Sequence, residues 1–197
     1  MSIRRTIRRG TLGIAIVAVG AALGWASTLA VQSGFGQAGI TVGAWQTSLM
    51  TGGTDADIYT RAVVARTGLL ALNRSETTYF TATRDDDGRP LLTRCRYEVV
   101  GEPLLSRWWS LTVYADDLFL VPDASKRYSV SMRDAAPGAD GKFRVILGAG
   151  AQPGLWLPTG KTGGFNLLLR LYNPSAEIAR EPATTRVPKI TRSGDCT

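Results

Sequence analysis

Hydrophobic and polar residues follow three rhythms along this chain, and each predicts a different element. From Thr11 to Val31 the sequence reads TLGIAIVAVGAALGWASTLAV, without a charge. A helix of that length rises about 30 Å, the thickness of a bilayer's hydrocarbon core. Further on, Ile58, Ala62, Ala65 and Leu69 recur at helical spacing behind Thr54-Asp-Ala-Asp57, which resembles a capping box. This predicts one amphipathic helix over about 55–67, covering a sheet edge or face.

From Thr77 the rhythm is that of strands. Thr77 to Thr83 is β-branched and aromatic. Asp87-Gly88 then predicts a hairpin turn, with Leu91 to Val100 returning as its partner. Trp108 to Tyr114, Arg127 to Met132, Phe143 to Leu147 and Phe165 to Tyr172 follow, and Asp140-Gly141 marks a second hairpin between the Arg127 and Phe143 runs. Short strands with regular turn signals predict a mainly β domain, an antiparallel β-sandwich.

These rhythms divide the chain into a basic tail (1–10), a transmembrane anchor (11–31), a spacer (32–53) and a β domain (54–197). The spacer carries Gly34, Gly36, Gly39, Gly43, Gly52 and Gly53, while Gly43-Ala-Trp45 and Leu49-Met50 are expected to pack on the domain edge. The final 144 residues are enough for one substantial core.

Charge adds orientation. The net charge is +7, but Arg4, Arg5, Arg8 and Arg9 all precede the apolar run; without them 19 basic residues face 16 acidic ones. Such a tail is not the basic stripe of a nucleic-acid binder. It is the positive flank that stays in the cytoplasm, so the anchor is expected to cross the inner membrane once with the β domain in the periplasm. The expected partner of residues 11–31 is the lipid bilayer. The rival reading is a cleaved signal peptide, but the apolar run is long for one, and Trp25 suits an interfacial anchor.

Composition excludes much chemistry. There is no histidine, which removes Ser-His-Asp and Cys-His catalysis and every His-containing metal site. Two cysteines cannot build a four-cysteine zinc site, and no cofactor or metal is expected. In an oxidising compartment Cys95 and Cys196 read as a disulfide. It would close a loop of about 100 residues, for which the chain-entropy model gives roughly 4.7 kcal/mol at most.

Several segments together resemble a bacterial family known only as domain of unknown function 1214. They are Leu70-Ala-Leu-Asn-Arg-Ser-Glu76, Tyr79-Phe-Thr-Ala82, Asp87-Gly88 with Pro90-Leu91, Trp109-Ser-Leu-Thr-Val-Tyr114, Arg127-Tyr-Ser-Val130, Trp156-Leu-Pro158 and Gly164-Phe-Asn-Leu-Leu-Leu-Arg-Leu-Tyr172. The family commonly has Asn-Trp-Leu-Pro where this chain has Leu155 before Trp156. The resemblance implies a jelly-roll β-sandwich and no established reaction or ligand.

Candidate chemistry is sparse. Gly154-Leu-Trp-Leu-Pro-Thr-Gly160-Lys161-Thr162 has one residue too many between its glycines for a P-loop and precedes a strand rather than a helix. It reads as a connection into a core strand. Asp85, Asp86 and Asp87 read as a solvated turn, and Asp116-Asp117 as a strand breaker. Glu76, in a segment of the resemblance, is the best single carboxylate. Alternation in the strands at 108–114 and 165–172 puts Trp108, Tyr114, Asn166 and Arg170 on one polar-aromatic face, suited to a sugar or an anionic ligand. In the competing structural reading, Arg170 is tied to a core carboxylate. The leading expectation is a non-catalytic ligand-binding or scaffold module, partnered by an envelope glycan or envelope protein. The alternative is a carboxylate-dependent hydrolase of envelope glycans.

Overall fold

Alternating apolar residues need a second layer to bury against, and in the computed structural model the chain supplies that layer itself by folding into two sheets. The structure describes residues 3–32, 39–49, 51–66, 72–194 and 196. A long helix, α1 (Ile3–Gln32), comes first. Its stretch Leu12–Leu29 is long and apolar enough to cross a membrane, and none of it is buried.

Six strands form the first sheet: β1 (Ile40–Val42), β2 (Trp45–Thr47), β3 (Thr77–Ala82), β9 (Phe165–Pro174), β5 (Ser106–Ala115) and β6 (Ser129–Ser131), in that order. All its pairings are antiparallel. The second sheet has the order β10 (Lys189–Arg192), β4 (Tyr97–Gly101), β7 (Phe143–Gly148) and β8 (Trp156–Pro158), with β8 parallel to β7. The fold is mainly β, with one antiparallel and one mixed sheet behind an N-terminal apolar helix.

One core joins the sheets. Phe80, Leu111, Phe165 and Leu169 of the first meet Tyr97, Val99, Val145, Leu147 and Ile190 of the second. Tyr97 meets Phe165 edge-on with centroids 5.7 Å apart, a geometry aromatic pairs favour. The short helix α3 (Ala176–Arg180), capped by Ser175, adds Ile178 to this cluster. The disulfide Cys95–Cys196 ties the last residues to the segment before β4.

Several expectations are corrected. Residues 40–47 of the presumed spacer are two strands of the first sheet, and Trp45, expected to pack on the domain edge, is fully buried in the core with its indole N–H donating to the Pro188 carbonyl at 2.7 Å. The predicted helix forms as α2 (Ile58–Arg66), but Asp57 caps it, accepting from the Tyr59 and Thr60 amides. Its expected core stripe is outside: Ile58, Ala62 and Ala65 are exposed. Leu69 lies outside the described residues.

The first turn closes only a short hairpin, with Arg84 bridging Pro90 and the Leu91 amide donating to the Thr83 carbonyl, and the second forms without the expected hairpin. The Gly88 amide donates to the Asp85 carbonyl with Gly88 at φ +79°, yet β3 pairs with β9, and the strand after the turn is shorter than expected and lies in the other sheet. Gly141, at φ +74°, closes a turn onto Gly138, yet β7 pairs with β4 and β8 while β6 pairs with β5. Turn chemistry is local, whereas strand partners are chosen by which face each strand must bury. The Asp85 run is not simply solvated either. Asp85 is buried, and Asp86 accepts a hydrogen bond from the Ile190 amide. The glycine-rich near-P-loop contains β8 and opens no helix.

Candidate functional site

Strand alternation builds the candidate site. On β5, Trp109, Leu111 and Val113 point into the core, and on β9 so do Phe165, Leu167, Leu169 and Leu171. The intervening residues therefore share the outer face of the first sheet. Register then places them: Trp108 pairs with Tyr172, Ser110 with Arg170, Thr112 with Leu168 and Tyr114 with Asn166, while Tyr79 on β3 stands on the other side of Arg170. Four residues singled out from the sequence, Trp108, Tyr114, Asn166 and Arg170, are thus brought onto one half-buried face.

Arg170 is at its centre, on a strand with neighbours on both sides. One guanidinium nitrogen donates to the Tyr114 hydroxyl at 2.7 Å and another to the Thr112 hydroxyl at 3.1 Å. Its carbon lies 5.7 Å from the Tyr114 ring centroid. The core carboxylate of the structural reading is not its partner: among the described residues, no ion pair includes Arg170. Two hydroxyls orient the fork without neutralising it, and donors remain for an incoming anion.

The rest of the face suits the same ligand. Asn166 donates its side-chain N–H to the Ala115 carbonyl at 3.2 Å, which fixes the amide at one end of the face. Arg133, just past β6, lies 5.8 Å from the Trp108 ring centroid and brings a second cation to the other end. The positions the strands turn outward here carry no carboxylate: Thr77, Tyr79 and Thr81 on β3, Ser129 and Ser131 on β6, and Gln46 on β2 join those already named. Alternation within each strand also puts Thr112 and Tyr172 on this face, but Arg133 and Tyr79 were missed by sequence reasoning. Alternation within Thr77–Ala82 marks Tyr79, but only the register reveals that it flanks Arg170.

Glu76 is not brought to this face. It immediately precedes β3 on the opposite parity to Tyr79, with its side chain exposed and its backbone carbonyl accepting from the Asn173 amide. Several other carboxylates hold local structure. Asp116 accepts from the Gly164 amide, Asp117 from the Phe119 amide and Asp134 from the Ser131 amide and hydroxyl. Arg144 bridges Asp140 and Glu98. Its hydrogen bonds hold the Asp140 carboxyl well below the usual carboxylate range. Among the described residues, no cluster of His, Cys, Asp and Glu could hold a metal ion.

A concavity of about 460 Å³ lies away from this face, beside α3, and is lined by Leu104, Leu105, Ile178, Thr185, Glu102 and Arg186 among others. Two of its charges are paired, with Arg186 3.1 Å from Glu102.

Comparison with solved structures places the fold. The chain is similar to the VPA0106 protein from Vibrio parahaemolyticus, at 20% identity and a TM-score of 0.62, over 92% of this chain and 45% of that one. It thus spans less than half the length of that protein. A putative uncharacterized protein from Burkholderia cenocepacia matches at 18% identity and a TM-score of 0.40, over 62% of this chain and 30% of that one. No curated protein matches the sequence. The profile of the family described as "Protein of unknown function (DUF1214)" matches residues 76–176, just over half of the chain, and the chain belongs to that family.

Proposed function

We propose that this chain is a membrane-attached module of an oxidising, extracytoplasmic compartment, and that the outer face of its first sheet binds an acidic carbohydrate without transforming it. The two sheets then act as the layers of a jelly-roll sandwich, one of which presents the binding face. Arg170 carries this reading. It is a guanidinium in the middle of an aromatic face, oriented by two hydroxyls and left without a carboxylate among the described residues. A planar guanidinium recognises carboxylate or phosphate through paired hydrogen bonds. Trp108 and Tyr114 offer the flat apolar surface that a sugar ring covers. Attachment is supported by the apolar stretch Leu12–Leu29, and the compartment by the Cys95–Cys196 bond. The arginines before that stretch favour a single pass with the domain on the periplasmic side.

Binding is tested with the full chain in lipid nanodiscs, titrated with oligogalacturonate or with neutral maltooligosaccharides while tryptophan fluorescence is followed. Saturable binding of the acidic oligomer, at least about tenfold tighter than the neutral one and weakened about tenfold in Arg170→Lys, is expected from loss of the bidentate fork. Equal binding of both sugars, binding of neither, or indifference to the substitution overturns the proposal.

A further inference from the structure

The hairpin that leaves β5 is built at a cost. The Leu118 amide donates to the Ala115 carbonyl, and the Ala115 amide to the Phe119 carbonyl, both at 2.9 Å. Tyr114 bridges to Leu120 below them. This is a three-residue loop whose third residue must be left-handed, a position that normally falls to glycine. Here it is leucine, at φ +66°. A bulky residue in that region is a genuine outlier, and such strain points toward function.

What the leucine adds is apolar surface. Leu118 is 44% exposed, Phe119 74% and Leu120 44%. Immediately below, Val121 is buried, so the tip projects from a fixed base rather than lying on the domain. The loops beside it carry exposed Lys126 and Lys161. Asp116 and Asp117, the first two loop residues, are exposed and accept from the Gly164 and Phe119 amides, and Asp123 accepts from the Ser125 amide; all three keep their charge. Three consecutive exposed apolar side chains on a hairpin with lysines on nearby loops suit a membrane interface, where apolar side chains enter the acyl boundary and charged groups stay at the headgroups.

The chain can bring that surface within reach. Ile40 opposes Thr47 near the middle of the sheet's height, about four residues of β5, or some 13 Å, below its Ala115 end. The eight residue steps from Gln32 to Ile40 span at most about 28 Å. A domain tethered by α1 can therefore touch the same bilayer with its hairpin tip.

We propose that Leu118, Phe119 and Leu120 insert into the surface of the lipid bilayer that α1 crosses, giving the domain a second membrane contact and a defined tilt. This rests on the membrane attachment proposed above and is independent of ligand binding by the outer face.

The test places photoreactive benzoyl-phenylalanine at position 119 of the full chain in phosphatidylcholine–phosphatidylglycerol vesicles. The control places it at position 105, where Leu105 is 66% exposed just before the opposite end of β5. A lipid adduct from 119 and none from 105 is expected. A protein adduct from 119, no adduct, or equal labelling from both sites overturns the proposal. Leu118→Gly should raise Tm by about 2–4 °C through relief of the backbone and cut the lipid adduct from 119 about threefold. A lower Tm or an unchanged adduct also overturns it. Extraction of the vesicles at high pH reports the α1 anchor separately, so failure of the tip and failure of the anchor are distinguishable.

Discussion

Arg192 of β10 lies 3.4 Å from the carboxylate of Asp85, a residue 2% exposed in the turn after β3. The two belong to different sheets or their connections, and the pair joins the end of the chain to its middle. Asp85 also accepts from the Arg89 amide at 2.8 Å, and Arg192 lies 5.5 Å from the Tyr97 ring centroid. Removing one member of a buried pair leaves the other charge uncompensated. Asp85→Ala is therefore expected to cost about 3 kcal/mol and to lower Tm by roughly 6–12 °C. A calorimetric scan showing less than a 2 °C change refutes the latch.

Cys95–Cys196 also ties the end of the chain to its middle, at the segment before β4. Cys95→Ser should lower Tm, by an amount within the 2–5 kcal/mol typical of native disulfides, without changing the membrane location. Non-reducing peptide mass spectrometry of exported protein should find the two cysteines linked. Recovery of both as free thiols would count against the assignment.

Arg170 is expected to behave differently from Arg192. Its partners are two hydroxyls on a half-buried face, so Arg170→Ala should cost about 1 kcal/mol and lower Tm by only some 2–4 °C. A fall as large as that of Asp85→Ala would show that Arg170 is a structural cation and remove the ground for a binding face.

Acid should weaken the domain through its surface carboxylates. The Thr60 hydroxyl lowers the Asp57 carboxyl, the Ser125 hydroxyl that of Asp123, the Ser131 amide that of Asp134 and the Arg144 guanidinium that of Asp140. A folded-state pKa below the unfolded value contributes stability above about pH 4 that is lost as pH falls through the folded value. The urea midpoint should therefore be lower at pH 3 than at pH 6, and Asp140→Asn should narrow the gap, more so at low salt. Equal midpoints at both pH values would contradict this.

Topology is open to a direct measurement. A reporter active only outside the cytoplasm, fused after Thr197, should be active. Activity of a cytoplasmic reporter instead would reverse the orientation, and a mature N-terminus shortened by about 30 residues would make the apolar run a signal peptide.

The sequence by itself determined what depends on neighbours a few residues away. The uncharged run at 11–31, the strand cores of 108–114, 143–147 and 165–172, and the turns at Gly88 and Gly141 could all be read from periodicity and local backbone chemistry. Alternation alone also put Trp108, Tyr114, Asn166 and Arg170 on one side. Tertiary structure decided everything that depends on a distant partner. It turned residues 40–47 of an apparent spacer into strands and took Trp45 from the expected domain edge into the core, where the Pro188 carbonyl receives its N–H. It sent Tyr97–Gly101 into the second sheet, where Tyr97 packs on Phe165. It gave Arg170 hydroxyl partners from β5 in place of a carboxylate, and it left the α2 stripe exposed. Periodicity records which residues need burial; only the completed pairing of strands far apart in the chain records what buries them.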